Sequence, residues 1–304
     1  MRPASDRLEL ETDDGVRLVG TVTFPDTDGP VPAVLLLNGS GPLDRDSNMP
    51  GQALHVASSL AQSLAAQGVA SLRFDKRGVG ESEGDYLTTS FQRETGDAAA
   101  ALLALREVPG VDPARVTLAG HSVGATIAIR LAARYDWIAG VVLLAAATEP
   151  GVEVMRIQSE RIAASFRGIH RLGRRRFLHR QEEIRQALLA SEGVVMDVEG
   201  GLPALWFREY MTYDPAEDLR AIRCPVLAIT GGSDLQVEPD GVERLRQFVS
   251  GPFTGSTPPG LTHVLRKDSR RPSLARYGAQ LRRPVDADLL ETVSRWVSAR
   301  QQQP

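Results

Sequence analysis

The segment VTLAGHSVGATIAIRLA, residues 116–132, places a serine between two glycines as Gly120-His121-Ser122-Val123-Gly124, the G-x-S-x-G spacing. An apolar run of β character precedes it and a helical pattern follows. That context lets the motif do chemistry, because a sharp strand-to-helix turn strains the serine backbone and lifts its hydroxyl clear of the sheet. Side chains at positions 120 and 124 would collide with neighbouring backbone, which explains the glycines. The amide of Val123, at the start of the helix, can donate to developing negative charge. The chemistry indicated is nucleophilic attack by Ser122. A serine hydroxyl is a weak nucleophile at neutral pH, so it needs a base within hydrogen-bond reach and an acid to orient that base. The candidate bases are His55, His121, His170, His179 and His263.

The elements that must position these groups can be read from periodicity. RLELET and VRLVGTVTFP alternate apolar and polar residues around Asp13-Asp14-Gly15, a hairpin signature. Nearly continuous apolar runs follow in PAVLLLNG, GVASLRFD, RVTLAG, IAGVVLLAAA and CPVLAITGG, as suits parallel strands covered on both faces. Between them, Leu54, Ala57, Leu60, Ala61, Leu64 and Ala65 share one helical face, and Ala98, Ala101, Leu102 and Leu105 share another. Thr89 and Gln92 have capping-box spacing before the second helix. Leu289, Leu290, Val293, Trp296 and Val297 predict an amphipathic C-terminal helix. This alternation predicts an α/β sandwich with a mostly parallel sheet. Residues 150–218 break the rhythm: they are helical in pattern and arginine-rich, and they contain no strand candidate. They are expected to form a helical cap or lid inserted into a core made of residues 1–149 and 219–304.

At this point the chain resembles the α/β-hydrolase superfamily, and within it a group of bacterial carboxylesterases with a Gly-Ser-Gly-Pro turn followed by Asp-Arg-Asp. Here that stretch reads NGSGPLDRD, residues 38–46. The likeness continues through FDKRGVGES (74–82), GHSVG, WFREYMTYDP (206–215), CPVLAITGGSDLQV (224–237) and LTHVL (261–265), in the same order and over most of the chain. The resemblance implies an α/β-hydrolase fold, with a mostly parallel central sheet flanked by helices and a helical cap. One departure is Asn38, which stands where many members carry histidine before the oxyanion-loop glycine, so the support of that loop should differ.

The resemblance also implies the order serine, acid, histidine. Only His263 follows the last sheet strands and precedes the C-terminal helix, so it is the expected base. His121 adjoins the nucleophile and is expected to pack beneath it, His170 and His179 to be solvated in the insertion, and His55 to sit in the first helix. Asp234, which follows PVLAIT through a Gly-Gly turn, is the expected acid, with Glu149 its main rival and Glu238 a weaker one. The oxyanion hole is expected from the amides of Val123 and Ser40, with Gly41 as substitute for Ser40. Asp75-Lys76-Arg77-Gly78 and Asp44-Arg45-Asp46 read as ion-pairing turns that brace these loops, although Asp44 and Arg45 are also placed to reach substrate. RLGRRRFLHR (171–180) reads as a solvated helix face, with contact to an acidic partner or lipid headgroup the alternative. Leu205, Trp206, Phe207, Tyr210 and Met211 either line an acyl pocket or dock the insertion on the core.

Composition limits the alternatives. The 304 residues are 42% hydrophobic and 24% charged with a formal net charge of −3, which fits a globular chain and gives no reason to expect nucleic acid. Positive charge is almost wholly arginine, the only lysines being Lys76 and Lys267. The charged start, the lone Cys224 and the shortness of the apolar runs suggest a cytoplasmic protein with no signal peptide and no stable membrane association. No metal-binding or dinucleotide-binding pattern is present, so no cofactor is expected. The expected activity is hydrolysis of a small-molecule carboxylic ester through an acyl-enzyme. Amide or peptide, lactone, thioester and C–C bond hydrolysis on the same scaffold are alternatives, as is a non-catalytic ligand-binding module. The physiological substrate and the oligomeric state are not readable from the sequence.

Overall fold

A computed structural model describes residues 5–300, excluding the side chains of Ile169, His170 and Arg300. The opening hairpin forms where the alternating pattern requires it. Strands β1 (Ser5–Glu11) and β2 (Arg17–Thr23) pair antiparallel, with Leu10 opposite Leu18 and Glu11 opposite Arg17. Next come β3 (Val31–Leu37), β4 (Ala70–Phe74), β5 (Val111–His121), β6 (Gly140–Leu144), β7 (Val226–Ile229) and β8 (Phe253–Ser256). Together they form an eight-stranded sheet in the order β1-β2-β4-β3-β5-β6-β7-β8. It is antiparallel at β1/β2 and β2/β4 and parallel elsewhere. This is an α/β-hydrolase sheet.

The apolar runs are continuous because both faces are covered. In β3, Ala33, Leu35 and Leu37 enter one buried cluster while Val34 and Leu36 enter another. The first cluster lies against α2 (Phe91–Arg106) and α3 (Val123–Arg134), the second against α1 (Val56–Ala65) and α10 (Ala287–Arg300). The side chain that caps α2 is Ser90, which accepts from Arg93 N at 3.1 Å. This corrects the Thr89 capping box. Thr89 Oγ1 instead donates to Asp85 O, one residue before the helix turns in.

Between β6 and β7 the chain runs through α4 (Gly151–Ser165), a 3-10 turn (Gly168–Gly173), α5 (Arg174–Ala190), α6 (Ala204–Thr212) and α7 (Ala216–Ala221). These helices share a small buried cluster of Leu188, Ala204 and Met211. After β7 come α8 (Gly241–Phe248) and, beyond β8, the short α9 (Tyr277–Leu281). Among the described residues no helix is long and apolar enough to cross a membrane.

The strand order places the site. The chain leaves β3 toward β4 on one side, yet β3 also pairs with β5 on the other, with Leu37 opposite Gly120. Ligands of open α/β sheets bind at such a switch point, outside the carboxyl ends of the strands. The loop after β3 and the turn after β5 therefore emerge side by side.

Candidate active site

Ser122 sits in the turn between β5 and α3 with φ 56° and ψ −123°, outside the regions that L-residues ordinarily occupy. The turn is possible because its flanks lack side chains. A Cβ on Gly120 would lie 2.1 Å from Gly124 O, and one on Gly124 would lie 2.2 Å from Leu37 O. Neighbouring backbone holds the strain in place, since Ser122 N donates to Leu144 O at 2.8 Å.

His263 lies in the loop after β8. Its Nδ1 bonds to Asp234 Oδ2 at 2.9 Å and Oδ1 at 3.1 Å, with both side chains buried. Among the described residues these are the ring's hydrogen bonds, and none joins it to Ser122. Such contacts often tighten only when substrate is engaged. Ser122 and His263 nevertheless line one pocket, with Gly39, Ser40, Gln236 and Tyr277. Burial works to raise the Asp234 pKa. The attraction and hydrogen bond of His263, with the amides of Val237 and Gln236, outweigh it and hold the carboxyl below its usual range. Those amides reach Asp234 Oδ1 at 3.0 and 2.7 Å.

The rival acids are held elsewhere. Arg244 pairs with Glu149 at 3.0 Å and with Glu238 at 2.9 Å. Of the other histidines, His55 is exposed just before α1 rather than within it, and His179 is exposed and paired with Glu183 on α5. The His170 side chain lies outside the described residues. His121 is buried beside the site and lines the same pocket as Ser122 and His263, with its ring centroid 5.0 Å from that of His263 and Nε2 2.9 Å from His263 O. Burial, reinforced by the nearby His263, pushes its pKa down to about 3, so the ring is neutral and Nε2–H donates to the carbonyl. The base loop is also clamped by Arg266, whose guanidinium is buried and donates to the carbonyls of Val264, Leu54 and Arg283.

Ser40, Ser122 and Val123 line a second pocket together with Val154, Met155, Gln158, Trp206, Phe207, Tyr210, Gln236 and Val237. Neither Ser40 N–H nor Val123 N–H has a backbone acceptor among the described residues. Gly41 lies with Ser40 and Tyr86 in the wall of a neighbouring pocket, not among the residues lining the one with Ser122. Trp206, Phe207 and Tyr210 reach this pocket, but Met211 does not: the turn of α6 carries it into the cluster with Leu188 and Ala204. Trp206 also docks α6 on the core, its Nε1 donating to Glu94 Oε2 at 2.5 Å.

Asn38, at the position where many superfamily members carry histidine, supports the loop by donating to Asp44 O at 2.7 Å and accepting from Ser47 Oγ at 2.5 Å. Arg45 spans Asp75 at 2.5 Å and Glu81 at 2.8 Å, and Arg77 holds Asp97 and Asp14, so both charged turns are bracing. Among the described residues no group of three His, Cys, Asp or Glu side chains is placed to hold a metal ion. Sequence reading missed Gln158, Gln236 and Tyr277 at the pockets. Gln158 Nε2 donates to Gln236 Oε1 at 2.8 Å across the sequence gap between α4 and the acid loop, a contact with no local signal.

Comparison with known proteins places the chain in a family. Residues 51–269 match the family described as serine aminopeptidase, S33. The chain belongs to that family of α/β hydrolases. It is 32% identical to esterase EstD of Thermotoga maritima over 236 residues, covering 77% of this chain and 54% of that esterase, so it spans about half the length of that relative. Among solved structures it is similar to Est1E from Butyrivibrio proteoclasticus bound to ferulic acid (TM-score 0.64, 19% identity, 96% of each chain). It is also similar to DcsB in complex with a substrate analogue (TM-score 0.65, 16% identity, 98% of this chain and 100% of that one).

Proposed function

We propose that this protein is a serine carboxylesterase of the group marked by the Gly39-Ser40-Gly41-Pro42 turn and Asp44-Arg45-Asp46, acting on small-molecule esters without a cofactor. The observation that carries the reading is the buried His263–Asp234 pair opening into the pocket that also holds the strained Ser122. In this mechanism His263 Nε2 takes the Ser122 proton as Oγ attacks the ester carbonyl. The amides of Ser40 and Val123 receive the oxyanion. His263 returns the proton to the leaving alcohol, then activates a water that releases the acid and regenerates Ser122. Asp234 holds the imidazole tautomer. Residues 150–218 act as the cap over this site, with Val154, Met155, Trp206, Phe207 and Tyr210 forming an apolar acyl pocket. A cytoplasmic location and a soluble ester substrate go with this reading.

Aminopeptidase action is the second reading, suggested by the family's description. Such a substrate brings an α-ammonium group, which needs a carboxylate when it is buried. Neither pocket beside Ser122 has an Asp or Glu among its lining residues. That favours an uncharged acyl group. Ser122→Ala should abolish p-nitrophenyl butyrate hydrolysis and labelling by a fluorophosphonate while the fold, read by circular dichroism, is kept. Turnover persisting at the wild-type rate defeats the proposal. Faster cleavage of leucine p-nitroanilide than of the ester would favour the second reading.

A further inference from the structure

Nearly every cation in this chain is arginine, and one of its two lysines, Lys76, is buried behind the loop that follows β3. Its ammonium donates to Gly39 O at 2.5 Å and pairs with Glu94 Oε1 at 2.6 Å. The other oxygen of Glu94 accepts from Trp206 Nε1 in α6 at 2.5 Å. A line of polar contacts thus runs from the helical segment between β6 and β7, through a carboxylate and an ammonium, to one carbonyl beside Ser122. That carbonyl has a particular partner. Gly39 O and Ser40 N–H belong to the same peptide group, and in a trans peptide they point in opposite directions. No cis peptide bond occurs among the described residues.

We infer that Lys76 is a positioning residue for the oxyanion hole: by drawing Gly39 O inward it turns Ser40 N–H outward toward Ser122, and Trp206 tunes that grip through Glu94. This rests on the hydrolase reading above. Gly39 lies against the nucleophile, since a Cβ there would be 3.4 Å from Ser122 Cβ, and a small rotation of its peptide therefore re-aims a donor relative to the oxygen of the reacting carbonyl. The ammonium itself reaches the peptide from a small cavity behind the loop, lined by Leu37, Asn38, Lys76, Tyr86, Glu94 and Trp206. A compact ammonium with three donors can serve a carbonyl and a carboxylate at once in this space, whereas a planar guanidinium presents a wider fork. The consequence is specific to catalysis. Docking of α6 sets the strength of the oxyanion hole as well as the shape of the pocket.

The test uses the full chain, p-nitrophenyl butyrate, and a trifluoromethyl ketone with the same acyl chain. Ser122 Oγ adds to the ketone carbon, the carbonyl oxygen becomes an oxyanion and the hydroxyl proton passes to His263. Butyramide, uncharged and too weak an electrophile to take up Ser122, serves as a ligand that forms no oxyanion. Lys76→Met should lower kcat and ketone affinity together by roughly tenfold to a hundredfold, short of the loss on deleting a donor outright. KM and butyramide affinity should stay within threefold. Lys76→Arg should not restore the loss. Trp206→Phe keeps a ring but removes the indole donor, and should lower kcat and ketone affinity by about threefold to tenfold, with KM free to move because the same ring lines the acyl pocket. Combined with Lys76→Met it should add nothing. Ketone affinity that is unchanged in Lys76→Met, or that falls in step with butyramide affinity, overturns the inference, as do additive losses in the double variant. If Lys76→Met does not fold, Glu94→Gln and Trp206→Phe carry the same non-additivity test. A wild-type chain that neither turns over the ester nor takes a fluorophosphonate sinks the hydrolase reading itself. Normal wild-type turnover with an indifferent Lys76 sinks only this inference.

Discussion

His121 offers a test whose size follows from the site alone. Its ring is neutral and buried, and donates from Nε2 to the backbone carbonyl of His263. Burial has pushed its pKa down to about 3, against about 6.5 in an unfolded chain. Above pH 6.5 both states carry a neutral ring and the linkage is silent. Between pH 6.5 and 3 the unfolded chain binds a proton that the native chain refuses. Unfolding therefore becomes easier as pH falls, by about 1.4 kcal/mol per pH unit. The stability tied to this ring is present above the unfolded pKa and drains away toward the folded one. From pH 7 to pH 5 the loss is about 2 kcal/mol, in a range where most carboxylates have not begun to protonate.

His121→Gln keeps an amide donor at similar reach but cannot titrate. In urea unfolding it should be about 1 kcal/mol less stable than wild type at pH 7, the worth of a disturbed hydrogen bond. It should lose about 2 kcal/mol less on going to pH 5, so the two stability curves cross between those values. Turnover should fall as well, because the donor fixes the backbone of the proposed base. Parallel stability profiles for the two proteins would refute the assignment of a neutral, proton-refusing imidazole at this position.

Asp234→Asn should reduce kcat by about 10⁴-fold by leaving the imidazole in the wrong tautomer, whereas Glu149→Gln should leave it within a few-fold, because Arg244 already holds Glu149. Similar losses in the two would return the acid role to Glu149. Phe207→Ala should move the preference among p-nitrophenyl esters toward longer acyl chains, since the ring lines the pocket beside Ser122. Met211→Ala should leave that preference alone and cost about 2–4 kcal/mol in thermal or urea unfolding, as for other core truncations. A chain-length shift in Met211→Ala with none in Phe207→Ala would reverse the two roles.

What could be read in advance was whatever the chain declares locally. The Ser122 turn announces itself because strain, two glycines and a strand-to-helix change fall within five residues. Strands β3 to β7 were legible because burial on both faces leaves unbroken apolar runs. β8 was not, since Phe-Thr-Gly-Ser at a sheet edge is half-exposed and has only one large apolar residue. Asp234 is the acid the sequence favours, although Glu149 and Glu238 also lie near strand ends. What separates the three in the structure is the contact of Asp234 with His263 and the pairing of both rivals with Arg244 in α8, and no spacing rule reveals either. Trp206, Phe207, Tyr210 and Met211 were grouped by composition, and only the phase of α6 against the core separates the pocket from the packing cluster.

The two proposed oxyanion donors are held by different forces, and that difference has consequences. Val123 N–H is fixed by the helix it begins, whose interior is buried along most of its length. Nothing short of unfolding α3 would re-aim it. Ser40 N–H belongs to a loop braced by an asparagine carboxamide on one side and by a buried ammonium on the other. That ammonium answers to a carboxylate shared with the indole of α6. Substitutions in the helices between β6 and β7 can therefore change the rate of the chemical step as well as which acyl chain is admitted. Acyl specificity and catalytic power would then vary together through Trp206, while substitutions at Phe207, whose contacts stay within the pocket and its flanking clusters, would separate them.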